Sequence, residues 1–305
     1  MTDIIRTLIS NLKSHNLNEM QPGLQNGGIG VAMLMLLDND LNNETCNISE
    51  EEAVSFYKRF MSTKYRWTDY SFNGYLGLIW SLKILSNLNI INAPVGLSSM
   101  FDSGINLYSR YYQEMPIQYN PNDYIYPSGF VAMLFCDKED TIESYFRREN
   151  TIHLIRDCEK VLTKEIPLLH SPSDLTMSQL HSILFFLMEA DRFNLFPYKT
   201  KELINLFRDS NYVTTNNAFR KDKYILEYLM KRHVENHLNE RLLLEFSSLS
   251  YIGLFAFVYR LPQMFMSLVN EDLIKNLKDA SFVSSLPVET VIGLTFGFIS
   301  EKFYS

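Results

Sequence analysis

The sequence predicts an all-α protein: an α/α toroid of about six helix-pair repeats in two concentric rings, forming one domain over residues 1–305. Three observations predict it. Apolar residues recur at helical spacing along most of the chain, short greasy segments alternate with longer charged ones, and each greasy segment follows a turn of small residues.

The charged segments come first. Residues 4–12, 50–61, 150–166 and 221–246 carry apolar side chains at i, i+3, i+4 and i+7, so each offers one face to a core and one to water. Ser49-Glu50-Glu51-Glu52 has the spacing of a capping box, in which the serine and Glu52 each satisfy a free backbone N–H at a helix start. Connections such as 92–96 and 171–174 are short and rich in Asn, Ser, Pro and Gly. With no long linker and no low-complexity tract, the reading is one continuous domain.

The small-residue turns set the architecture. Leu24-Gln-Asn-Gly27-Gly-Ile-Gly30 runs into a greasy segment at 31–37, and Phe72-Asn-Gly74-Tyr-Leu-Gly77 into another at 78–85. Tyr126-Pro-Ser-Gly129 leads to 131–135, nearly duplicating the first start. Weaker copies are Gln179-Leu-His-Ser182 before 183–188, Ser250-Tyr-Ile-Gly253 before 254–259, and Thr290-Val-Ile-Gly293 before 294–299. The second small residue of each copy is at 30, 77, 129, 182, 253 and 293, a spacing that suits two helices and their connections. A helix apolar nearly all round must be covered on every side. Six such helices ringed by six amphipathic ones satisfy this, whereas an open solenoid leaves each helix one wetter face. Glycine at the start of an inner helix lets neighbouring backbones come close. It is also expected to leave N-terminal N–H groups free to point into a central depression.

Composition narrows the function. The net charge of −7 disfavours nucleic acid, which needs a basic patch. No window holds 18 uninterrupted apolar residues, and the N-terminus lacks the pattern of a secretory signal, so the expectation is a cytoplasmic protein with no membrane partner. Cys46, Cys136 and Cys158 form no C-x-x-C pair and read as reduced, mostly buried thiols. No nucleotide loop, calcium loop or Ser/His/Asp order is present, and no cofactor is expected.

From about Gly23 to Phe298 the recurring Gly-x-x-Gly turns resemble those of the lanthionine synthetase C-like family, whose members are α/α toroids; Phe72-Asn-Gly-Tyr-Leu-Gly77 is a particularly good match. In its active cyclases two late repeats give two cysteines and a histidine to zinc. The metal lowers the pKa of a peptide thiol, which then adds to a dehydrated Ser or Thr. Aligned on the small residues, the first cysteine falls at Ser248, and the second cysteine and the histidine at Val288 and Glu289. A repeat earlier, the family's Ala-His-Gly histidine falls on Ser178, with His181 three residues on; its aspartate ahead of the third turn falls at Asn122, beside Asp123. Serine and valine cannot replace zinc thiolates. The resemblance therefore implies a protein of peptide modification that is zinc-free and non-catalytic, with a peptide substrate or a peptide-modifying enzyme as its partner.

Other constellations lie near the turns. Trp67-Thr-Asp69-Tyr70 precedes the second turn and Asn122-Asp123-Tyr124-Ile-Tyr126 the third, each setting a carboxylate among aromatics just before an inner helix. Asp69, Asp123 and Glu289 are thus candidate acids and bases for a sugar-cleaving toroid, the alternative reading. Equally, Asp69 and Asp123 suit helix caps, and Glu289 suits the positive end of a helix. Trp67, Asn73, Tyr126, Gln179 and His181 are candidate binding residues at the predicted mouth. His233-Val-Glu-Asn-His237 puts two imidazoles one helical turn apart, but its charged neighbours mark a solvated face. A helical-repeat scaffold with no ligand is the third reading.

Overall fold

The computed structural model describes residues 2–42, 48–62, 74–92, 94, 97, 142–165, 183–184, 186–188, 190–191, 194–209, 224–225, 228–229, 246–258 and 260–304. Among these, all regular structure is helical, as the sequence predicts. The elements are α1 (Thr2–Lys13), a 3-10 turn (Leu17–Glu19), α2 (Gly28–Asn42), α3 (Ile48–Met61), α4 (Tyr75–Asn87), α5 (Ile142–Glu165), α6 (Pro197–Asp209), α7 (Phe246–Val258), α8 (Pro262–Met266), α9 (Glu271–Lys278), α10 (Ala280–Ser284) and α11 (Val288–Tyr304). They fall into two compact units: residues 1–114 together with 240–305, and residues 115–239.

In the first unit, the greasy segments behave as their composition requires. Val31 to Leu37 in α2 are all buried, as are Leu254 to Val258 in α7, and α11 buries every residue from Thr290 to Ser300. Helix α11 packs along α7 and also meets α2, which in turn meets α4, so the greasy helices neighbour one another in the order α7, α11, α2, α4. The charged helices cover them. In α1 the five residues Ile4, Ile5, Leu8, Ile9 and Leu12 form one buried stripe, packed against α11, α9, α10 and α2. In α3, Ala53, Phe56, Tyr57 and Phe60 are buried while Glu51, Glu52 and Lys58 face water. Helix α3 begins at Ile48, so Ser49 lies inside its first turn and not ahead of it, which displaces the predicted capping box by a residue or more.

The stretch between the last two greasy helices differs from the expected single outer helix. Three short helices fill it, because Pro262 starts α8 and two side chains cap fresh starts. Asn270 accepts from the Leu273 N–H (2.8 Å) ahead of α9, and Asp279 accepts from the Ser281 N–H (2.9 Å) ahead of α10.

In the second unit, Ile183, Leu184, Phe186 and Leu187 are helical and buried, in agreement with the fourth predicted greasy segment. The third, 131–135, lies outside the described residues. Helix α5 begins at Ile142, eight residues earlier than predicted, and buries Ile155, Cys158 and Leu162. It packs on α6, held at the rim by Lys199, which pairs with Glu159 at 2.7 Å and Glu202 at 2.9 Å.

A second mark of the repeat lies at the far ends of three greasy segments. Asn89, Asn194 and Arg260 are left-handed, at φ 59°, 55° and 55°. In each case the next N–H reaches back five residues: Ile90 to the Leu85 carbonyl (2.9 Å), Leu195 to Ala190 (2.9 Å) and Leu261 to Ala256 (2.8 Å). This is the 6→1 closure of a Schellman cap, with an apolar residue after the left-handed one. Asn89 and Asn194 each stand twelve residues beyond the second small residue of their turn, Gly77 and Ser182.

The first unit also carries an aromatic cluster. Trp80 of α4 meets Phe257 of α7 edge to face, 6.2 Å between ring centroids. Phe257 also stacks at a tilt on Phe296 (4.9 Å) and Tyr304 (5.3 Å) of α11. Burial raises the Tyr304 hydroxyl pKa to about 12, against the opposing pull of the Arg260 guanidinium, 5.7 Å from the ring centroid. Burial likewise pushes the Tyr57 hydroxyl and the Cys158 thiol upward. Each folded pKa lies above its unfolded value, so the unfolded state loses its proton first and stability falls as pH rises. Tyr304 alone should cost about 2 kcal/mol between pH 10 and 12. Denaturant titrations at pH 8, 10 and 11.5 should show this loss, and Tyr304→Phe should remove its share while leaving that of Tyr57 and Cys158.

Candidate functional site

Two segments that the resemblance assigns to metal ligands come from the starts of different helices, α7 and α11. Small residues bring them together. A Cβ placed on Gly253 would strike the carbonyl of Gly293, and one on Gly293 would strike the carbonyl and hydroxyl of Ser250. The two backbones are therefore in direct contact, which is the role the sequence assigns to these glycines. At the helix starts, the Ser250 hydroxyl donates to the carbonyl of Glu289 at 2.9 Å, and Ser250 is 4% exposed. Around this contact, Ser248 and Val288 are half-buried and the Glu289 side chain faces water.

The chemistry of this donor set does not suit zinc. A serine hydroxyl is a poor zinc ligand, an isopropyl group is none, and one carboxylate leaves the tetrahedral demand unmet. Glu289 occupies the first turn of α11, where a negative charge is stabilised by the helix dipole. Among the described residues, no three His, Cys, Asp or Glu side chains gather as metal ligands would. Of the predicted site residues Glu289 alone is described. Asp69, Asp123, Trp67, Asn73, Tyr126, Gln179 and His181 lie outside the described residues, as do His233 and His237.

One expectation is corrected at the start of α2. The Gly28 N–H donates to the Gln21 carbonyl (2.9 Å) and the Gly30 N–H to the Gly23 carbonyl (3.1 Å). These N-terminal donors are consumed by the loop that precedes the helix and do not point free into a depression. The Leu24-Gln-Asn-Gly turn curls back on its own helix, which the sequence pattern of glycines alone does not reveal.

A polar group outside the repeat motifs lies at the other end of α2. Asp38 and Asn39, both 6% exposed, interrupt the greasy run, and Asp38 pairs with Lys13 Nζ of α1 at 3.2 Å. A charge inside an apolar helix was the available signal, since buried charges are nearly always paired.

Compared with models of protein families, with curated proteins and with solved structures, the chain finds no match.

Proposed function

We propose that this chain is a divergent lanthionine synthetase C-like protein, an α/α toroid that binds an extended peptide, or an enzyme modifying that peptide, where its inner helices begin. It works without zinc and does not cyclise the peptide. The observation that carries the reading is the Ser250–Glu289 contact. It puts side by side the two segments where the resemblance places the zinc ligands, although the ligands themselves are replaced. The close passage of α11 against α7 on one side and α2 on the other supports a closed arrangement of inner helices. Half-buried Ser248, Val288 and Tyr251 give this surface a mixed apolar and hydroxylic character suited to a peptide backbone.

The test uses the purified full chain and a fluorescent, extended peptide rich in Ser, Thr and Cys, in native and dehydrated forms. Fluorescence polarisation should report binding of at least one form, weakened about tenfold or more by Ser248→Trp, a side chain too large for the surface. Addition of a thiol to a dehydrated residue leaves peptide mass unchanged, so the readout for cyclisation is loss of alkylatable thiol. None is expected. Thiol consumption together with one tightly held zinc per chain would overturn the non-catalytic reading, and release of reducing sugar from oligosaccharides, lost on substitution of Asp69 and Asp123, would replace it with the hydrolase.

A further inference from the structure

We propose that α1 is a clasp that joins residues 2–13 and 271–284, far apart in sequence, into one cooperative unit whose parts are protected or exposed together. This stands apart from the peptide-binding reading. Helix α1 is followed in sequence by α2, yet its apolar stripe lies mainly on α11, α9 and α10. Those last two helices need it. Helix α9 has 8 residues and buries only Leu273 and Leu277; α10 has 5 and buries only Val283. Helices so short do not persist without tertiary cover.

The polar contacts of α1 point in both directions along the chain. The Asn11 side-chain amide donates to the Ser284 hydroxyl of α10 at 3.5 Å, across 273 residues. Two residues later Lys13 pairs with Asp38 of α2, whose side chain is 8% exposed. A single helix thus seals the apolar faces of α9 and α10 while tied by a largely buried charge to the first greasy helix. An N-terminal arm lying loosely on a finished core would not leave its neighbours too short to stand alone.

Hydrogen exchange of the full chain, resolved by peptide and followed by mass spectrometry, tests this. In the unmodified protein, α1 should exchange as slowly as α9 and α10. Ile9→Val, mild enough to leave the chain folded, should speed exchange in α1, α9 and α10 by one common factor, about 2- to 10-fold. Leu8→Ala should do the same by about 30-fold or more, and in both variants α5, in the other unit, should keep its original rate. The clasp is refuted by an α1 that exchanges orders of magnitude faster than α9 and α10, by acceleration confined to α1, or by equal acceleration of α5.

Discussion

Gly293→Val should cost about 3 kcal/mol or more and leave little folded protein, with Gly253→Val close behind. Overpacking in a core usually costs about 1–3 kcal/mol because side chains shift to make room. Here the obstacle is not a side chain. The added atoms would meet the carbonyl of Ser250 in one case and that of Gly293 in the other, so two helices must separate along their contact. Separation also breaks the Ser250–Glu289 hydrogen bond and uncovers α11, which is buried from Thr290 to Ser300. Because the two glycines face one shared seam, the double variant should lose less than the sum of the singles. Urea unfolding followed by circular dichroism decides it; near-native stability for both variants would mean that α7 and α11 do not touch through their backbones.

Trp80→Ala should cost about 3–5 kcal/mol, the range for removing a large buried aromatic. Trp80 is 2% exposed and its edge-to-face partner Phe257 is fully buried. The loss therefore leaves a cavity between α4 and α7 where no water is welcome. Trp80→Phe should recover more than half of the loss. In a Trp67→Phe background its intrinsic fluorescence offers a second readout, since the Trp80 indole should move to water only with the global transition.

The sequence made the helical class and the greasy helices legible because both rest on periodicity, and periodicity survives substitution among apolar residues. Among the described residues, four of the six predicted inner segments are helical and almost wholly buried, and a fifth is helical and buried at Ile183, Leu184, Phe186 and Leu187. Gly253 and Gly293 carry the close approach expected of them. Other features had weaker signals. The three short helices between α7 and α11 depend on Pro262, Asn270 and Asp279, each a local switch inside what reads as a single amphipathic stretch. The left-handed caps carry little sequence signal because the usual residue there is glycine, and this chain uses Asn89, Asn194 and Arg260. The pairing of α1 with α11 joins residues far apart in sequence, and a one-dimensional pattern cannot show which faces meet. At the candidate site, the positions of Ser248, Val288 and Glu289 followed from the resemblance alone; composition held no trace of them.

The division of the first unit between residues 1–114 and 240–305 has a consequence for how the protein is born. A ribosome delivers α1 to α4 long before α7 and α11, the helices that must lie against them. At ordinary translation speeds the interval is roughly 10 s, far longer than a helix takes to form or an apolar chain to collapse. During that wait, the stripe of α1 and the Gly30 side of α2 lack α9, α10 and α11, the later helices that complete their cover. The second unit, by contrast, is continuous in sequence and can be assembled as it emerges. Until the later segment is made, α1 to α4 are therefore the part of the first unit with the most apolar surface left uncovered.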